Sequence, residues 1–192
     1  MPNWCFTLYA VEGSKEKIDD LHNKIESLSK RDEPQAPSLF GKMWLRNLIE
    51  LLGGNPTKIC CRGKICEWER VSDTLLTYQT MTAWGELNAV REFIQQKYPT
   101  LKIYYQAEES GCEYYKTNDS EGKYFPERYV VNQSDGCEQF IFTEGEEQEF
   151  FNDITTLTGE TVTTIEKAKN AVHEYNANHE DWIDLKIFSV TI

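Results

Sequence analysis

Apolar and polar residues alternate from Asn3 to Val11, with Trp4, Phe6 and Leu8 on one side and Cys5, Thr7 and Tyr9 on the other. That period predicts a half-buried strand. Gly13 then turns the chain, and Ser14 stands where an N-cap is expected. Ile18, Leu21, Ile25 and Leu28 recur at helical spacing and form one face of an amphipathic helix, with His22 at its border. Arg31 to Ser38 carries two prolines and no apolar period, which predicts a loop. Between Phe40 and Leu52 the wide apolar set Trp44, Leu45, Leu48, Leu51 and Leu52 predicts a second helix lying on a sheet, stopped by Gly53-Gly54.

Lys58 to Cys61 and Ile65 to Val71 flank Arg62-Gly-Lys64, a pattern that predicts a hairpin with Gly63 at positive φ. Leu75 to Thr82 has strand composition. From Glu86 the period becomes helical through Leu87, Val90, Phe93, Ile94 and Tyr98, and Pro99 closes it. Leu101, Ile103 and Tyr105 then alternate with Lys102, Tyr104 and Gln106. This order predicts an α+β chain: a ferredoxin-like split βαβ antiparallel sheet with helices on one face.

Beyond it, Tyr114-Tyr115, Tyr129-Val-Val131 and Phe140-Ile-Phe142 read as short strands between turns at Asn118 to Gly122 and Ser134 to Gly136. Thr143 with Glu146, and Thr163 with Glu166, have capping-box spacing and open two helices. The first carries Phe150, Phe151 and Ile154, the second Ile165, Ala168, Val172 and Tyr175. Alternation from Trp182 to Ile192, with Ile183, Leu185 and Ile187 against Asp184, Lys186 and Phe188, predicts a last strand joining the same sheet. No Gly/Ser-rich linker interrupts the chain, so the expectation is a single domain over 1–192. Its core spans 1–125, with an inserted helix at about 40–52, and residues 126–192 form a C-terminal helix-and-strand extension packed on that core.

Lys+Arg 20 against Asp+Glu 32 gives a net charge of −12. Such a surface repels phosphate backbones and argues against direct nucleic-acid binding. No apolar run approaches the roughly 20 residues that span a bilayer, and the N-terminus lacks a basic leader. These features predict a cytoplasmic protein with no membrane partner, whose six cysteines are thiols.

Candidate chemistry is sparse. Cys60, Cys61 and Cys66 cluster in sequence, but a zinc site needs four ligands, adjacent cysteines on a strand point to opposite faces, and no histidine is near. Cys112 or Cys137 would complete such a set only through the fold. A nucleophilic cysteine needs a histidine and an orienting group; His22, His173 and His179 fall on or just beyond helices, with no spacing to any cysteine. Asn118 to Gly122 lacks the ligand spacing of a calcium loop. No metal, cofactor or catalytic residue is therefore assigned, and the chain reads as a non-enzyme more readily than an enzyme.

Aromatic residues are the more informative set. Trp84, Tyr104, Tyr114 and Tyr115, with Tyr105, Tyr124, Phe125 and Tyr129 nearby, suggest an aromatic binding face on the sheet, although strand alternation turns half of such rings toward the helices. RNA-recognition modules stack bases on a sheet face, but their Gly-rich aromatic motif is missing and the neighbours are acidic. Glu144, Glu146, Glu147 and Glu149 cluster where a DNA-mimicking surface would want carboxylates, and also where a helix start favours them.

Met1-Pro-Asn-Trp-Cys5, Thr82-Ala-Trp84, Tyr98-Pro99, Leu101 to Tyr105 and Glu108-Glu-Ser-Gly111 together give a pattern over residues 1–125. It resembles that of phage- and plasmid-encoded proteins carrying the YubB-type ferredoxin-like domain. The chain departs from the family at Gly85-Glu86, where prolines are common, and at Gly63-Lys-Ile-Cys-Glu-Trp68, where a shorter Gly-x-Lys-Trp segment is usual. The resemblance implies the architecture and a mobile-element context, and carries over no catalytic residues. The resulting expectation is a non-enzymatic accessory or interaction protein whose partner is another protein, with self-association left open. The alternatives are an acidic DNA-mimicking inhibitor of a DNA-binding enzyme, and an RNA-binding module or an enzyme of unrecognised type.

Overall fold

The computed structural model describes residues 2–33, 39–134 and 138–191. The chain divides into two compact units, Met1–Asn118 and Asp119–Ile192.

In the first unit the elements follow as β1 (Trp4–Glu12), α1 (Lys15–Ser29), a single 3₁₀ turn (Gly41–Met43), α2 (Leu45–Leu51), β2 (Gly63–Arg70), β3 (Leu75–Ala83), α3 (Asn88–Lys97), β4 (Lys102–Glu109) and β5 (Tyr114–Thr117). The strands lie in the order β2-β3-β1-β4-β5, each antiparallel to its neighbours. Two crossovers interleave: β1 reaches β2 through α1 and α2 with β3 between them, and β3 reaches β4 through α3 with β1 between them. Directly paired residues share a face, so Tyr9 stands beside Tyr78 and Tyr105, and Val11 beside Leu76 and Ile103. These side chains pack with Ile18, Leu21, Ile25, Leu28, Leu45, Leu48, Ile49, Val90 and Ile94 in one core, where each fully buried Leu or Ile contributes about 2 kcal/mol.

The expected helix over Phe40 to Leu52 is broken. Gly41 has φ +60 and Trp44 is extended, so a 3₁₀ turn and a short helix replace one continuous helix. Trp44 leaves the helical path because it is tied to β2: it forms a bridge with Lys64, and its indole Nε1 donates to the Cys61 carbonyl at 2.6 Å. Asn47 joins the two pieces through Nδ2 donated to the Lys42 carbonyl at 2.9 Å. The Lys42 ammonium donates to the carbonyls of Ser29 and Arg31 at the end of α1, where a cation suits the helix dipole.

The hairpin also differs from expectation. Lys58 to Cys61 is not a strand, and Gly63 begins β2 rather than making a turn. Gly63 serves close approach: a Cβ there would meet the Met81 carbonyl oxygen at 2.5 Å and Thr82 Cα at 2.9 Å. The hairpin is β2 with β3, closed after Arg70 by the Ser72 N–H donated to the Leu75 carbonyl. Between Ile65 and Glu67 the register shifts, leaving Cys66 in a bulge. The extra residue keeps Trp68, paired with Tyr78, on the same face as Ile65.

The second unit holds β6 (Tyr129–Gln133), β7 (Gln139–Phe142), α4 (Glu147–Thr158), α5 (Ile165–Asn178), β8 (Ile183–Ile187) and the two-residue β9 (Ser189–Val190). Within the stretch Trp182 to Ile192 expected as one strand, Ile183–Ile187 pairs with β6 in a three-stranded sheet ordered β7-β6-β8. Its apolar side chains complete a separate core with Tyr129, Val131, Phe142, Phe150 and Ile154, where Phe150 stacks on Tyr129 at 4.4 Å. Thr164, rather than Thr163, caps α5 by accepting the Lys167 N–H. Thr143 and Glu146 do bond through their side chains, but they close a turn one step before α4 begins. The expected turn at Ser134 to Gly136 falls mostly outside the described residues.

The two units divide at Asn118/Asp119, where two adjacent side chains bond in opposite directions along the chain. Asn118 acts as an extra rung on β4: its Oδ1 accepts from the Tyr105 N–H, and its Nδ2 donates to the Ile103 carbonyl. Asp119 faces the other way along the chain, accepting the N–H groups of Lys123, Tyr124 and Phe125 at 3.1, 2.6 and 2.9 Å. Arg128, 3 % exposed, donates to the carbonyls of Asp119, Ser120 and Phe125 and to the Glu144 carboxylate. The turn expected at Asn118 to Gly122 thus spends its Asp119 carboxylate on main-chain donors.

Gly63→Ala should destabilise the chain by about 2 kcal/mol or more, because the new methyl meets backbone that cannot move cheaply; urea denaturation measures it. Asp119→Ala leaves three inward N–H groups without their acceptor and should cost about 3 kcal/mol. Its signature is lost hydrogen-exchange protection at Lys123, Tyr124 and Phe125, with the amides of β1 unaffected.

Candidate functional site

The two faces of the first sheet differ in chemistry. Under the helices lies a buried polar group built from β1, β3 and the turn into α3. Tyr9 stacks on Tyr78 with centroids 4.5 Å apart, and its hydroxyl donates to Glu86 Oε1 at 3.1 Å. Arg91, one turn into α3, donates from Nε to the same oxygen at 3.1 Å, and its guanidinium lies 4.8 Å from the centre of the Tyr105 ring. The Glu86 side chain is 2 % exposed. Burial raises its carboxyl above the ordinary range, and Arg91 and Tyr9 only partly offset this. Burial likewise lifts the Tyr9 and Tyr78 hydroxyls well above their ordinary values. Thr80 Oγ1 is buried beside them without a hydrogen bond. Glu86 thereby clasps the turn before α3 onto the sheet. The acid is held by protein groups on the donor side, so it works as a fastener.

The opposite face, turned away from α1, α2 and α3, carries the other half of each strand. Phe6 pairs with Met81 and Glu108, Leu8 with Gln79 and Gln106, and Ala10 with Thr77 and Tyr104. On β2, Lys64, Glu67 and Glu69 continue these three rows. Phe6 and Leu8, on the central strand, are 42 % and 45 % exposed. Beside Leu8 an open groove of about 350 Å³ runs along Glu67, Trp68, Glu69, Thr77 and Gln79.

The four aromatic residues expected to form one face do not share it. Tyr104 and Tyr115 lie on the face of Phe6 and Leu8, Tyr115 being buried. Tyr114 pairs with Glu109, one residue out of phase with Tyr115, and packs against the core under the helices, where burial pushes its hydroxyl up to about 12. Trp84 stands at the corner, 54 % exposed, with φ 73 and its N–H donated to the Asn3 carbonyl. Phe6 and Leu8, present in the alternation of β1, carry the exposed apolar surface instead; a strand paired on both edges, with only one face covered by helices, is the signal that marks them.

Three of the stretches quoted for the family resemblance meet at that corner. The Asn3 amide donates to Cys112 Sγ at 3.4 Å, and the Glu109 carboxylate accepts the N–H groups of Gly111 and Cys112 at 2.7 and 2.9 Å. Burial opposes the charge of Glu109, but these donors outweigh it and hold the carboxyl below its usual range. The contacts account for the spacing of Asn3, Trp84 and Gly111 as a corner lock.

The remaining candidates resolve individually. Cys5, Cys60, Cys61, Cys66 and Cys112 are free thiols, and burial pushes Cys5 and Cys61 up to about 11, away from reactive thiolates. Cys137 lies outside the described residues. Among the described residues no group of three or more His, Cys, Asp or Glu side chains is placed to hold a metal ion. His179 stacks on Tyr175 at 4.0 Å, at the end of α5. In the acidic cluster Glu144 meets Arg128, Glu146 accepts from Thr143, and Glu147 accepts the Tyr129 hydroxyl, so three of its carboxylates serve their own unit. No helix among the described residues is long and apolar enough to cross a membrane.

A group whose folded carboxyl is raised binds its proton more tightly in the native state. The stability Glu86 contributes is therefore fully present below its ordinary value of 4.5 and is lost as pH rises through the folded value. On acidification from neutral pH toward that range, the unfolding free energy of the wild type should rise relative to Glu86→Gln. Parallel curves for the two proteins would show that Glu86 titrates normally. The chain matches no protein-family model, and no curated protein is similar to it.

Proposed function

We propose that the chain is a non-enzymatic accessory protein of ferredoxin-like architecture that binds another protein through the face of its first sheet bearing Phe6 and Leu8. The observation that carries this is the division of chemistry between the two faces. The titratable groups Glu86, Tyr9 and Tyr78 are sealed beneath helices, with Tyr9 bonded to Glu86 and stacked on Tyr78, whereas two large apolar side chains on the central strand stand half-exposed. Exposed apolar residues grouped on a rigid sheet mark interaction surfaces more than catalytic ones. The ferredoxin-like reading is supported by the strand order β2-β3-β1-β4 and its two interleaved crossovers. Base stacking is disfavoured: the neighbours of Phe6 and Leu8 on β3 are Met81 and Gln79, and carboxylates flank them. The free thiols fit a cytoplasmic setting, and the Met1 to Cys5 opening fits a mobile element.

Affinity capture from a lysate of the native host tests the reading, with the wild type and the Phe6→Ser/Leu8→Ser variant as baits. A specific protein partner should be retained by the wild type and reduced at least about tenfold by the variant. Retention of the same partner by both baits overturns the face. A DNA-binding enzyme lost as salt rises, and indifferent to the substitutions, would replace this reading with DNA mimicry.

A further inference from the structure

The groove beside Leu8 has a chemistry of its own. It is open, about 350 Å³ in volume, and two of its lining side chains, Glu67 and Glu69, are carboxylates on the same face of β2. Two residues apart on a strand, they are spaced by about 7 Å. Leu8 forms an apolar wall across β3, and Thr77 and Gln79 supply a neutral polar floor. No lysine or arginine lines the groove. The nearest cation along the face, Lys64, sits one row up beside Met81, while Lys102 pairs with Glu12 at the far end of β1. A long cationic side chain matches this shape. Its aliphatic stem covers Leu8 while its charged head reaches the two carboxylates, the way such side chains divide between apolar and polar surroundings. A second copy of this chain fits poorly, because it would bring a protein of net charge −12 and the same carboxylates against them.

Resting on the interaction reading above, we propose that the partner presents to this face a segment in which an apolar residue, seated on Phe6 and Leu8, is followed or preceded by an arginine or lysine that enters the groove between Glu67 and Glu69. The carboxylates select the basic residue, and the apolar pair supplies the area.

The test uses a phage-displayed library of random dodecapeptides selected on the full-length protein. Selected sequences should combine a large apolar residue with a nearby Arg or Lys. A synthetic peptide from the selection should bind Glu67→Gln/Glu69→Gln roughly five- to tenfold more weakly than the wild type. It should bind Glu149→Gln/Glu166→Gln, which removes as much charge from the exposed starts of α4 and α5, within about twofold of the wild type. Equal weakening by both charge pairs overturns the groove, since it reports net charge alone. Peptides without basic residues that still depend on Phe6 and Leu8 also overturn it, while leaving the interaction reading standing. Binding indifferent to Phe6→Ser/Leu8→Ser, or no selection at all, overturns both. Thermal unfolding of each variant confirms that these exposed substitutions leave the fold intact.

Discussion

Pairing on both edges of β1 is the constraint from which the first unit follows. Its residues are hydrogen-bonded to β3 from Trp4 to Glu12 and to β4 from Phe6 to Glu12, so the strand has no edge left to adjust and its two faces are fixed by alternation. Cys5, Thr7, Tyr9 and Val11 must face the helices, and Phe6 and Leu8 must face away from them. The helices then have one side to cover. Their stripes, set by Ile18, Leu21, Ile25 and Leu28 on α1 and by Val90 and Ile94 on α3, close over that side alone. The chemistry follows the same partition: hydroxyls and a carboxyl go where they can bond to one another, and apolar surface goes where nothing in the unit covers it.

The parts of this fold legible in the sequence are those governed by a local period. The stripe of α1, the alternation of β1 and β4, and the stop at Gly53, with φ +77, all come from side-chain spacing within one element. Where tertiary contact decides, the sequence misleads. Gly63 suggests a turn because glycine usually supplies positive φ, yet its missing side chain here admits Met81 and Thr82. Trp44 has an apolar period that continues a helix, and its indole instead binds a carbonyl on the approach to β2. The alternation of Ile183, Leu185 and Ile187 marks a strand correctly but contains no information on which sheet receives it. The candidate face was half legible: alternation separates Tyr104 from Tyr105, but assigning Tyr114 requires the register with Glu109.

Among the described residues the buried charged side chains lie where the chain must turn or join. Glu86 secures the turn into α3, Glu109 the turn between β4 and β5, and Asp119 with Arg128 the opening of the second unit. In each case a charged group meets several fixed donors or acceptors, which makes its loss costly and its replacement by an apolar side chain unsuited to the surrounding main chain. Buried carboxylates elsewhere often mark catalysis; here their partners are the loops they hold.

The Cys66 bulge has a consequence for solution behaviour. An outer strand with regular spacing offers unpaired main-chain groups to any passing segment and can seed growth of a fibril. In β2 the shifted register interrupts that row, the Trp44 bridge occupies its start, and Glu67 and Glu69 place like charges on any copy that approaches. The protein can therefore leave apolar side chains exposed on the broad face of its sheet while its rim resists polymerisation.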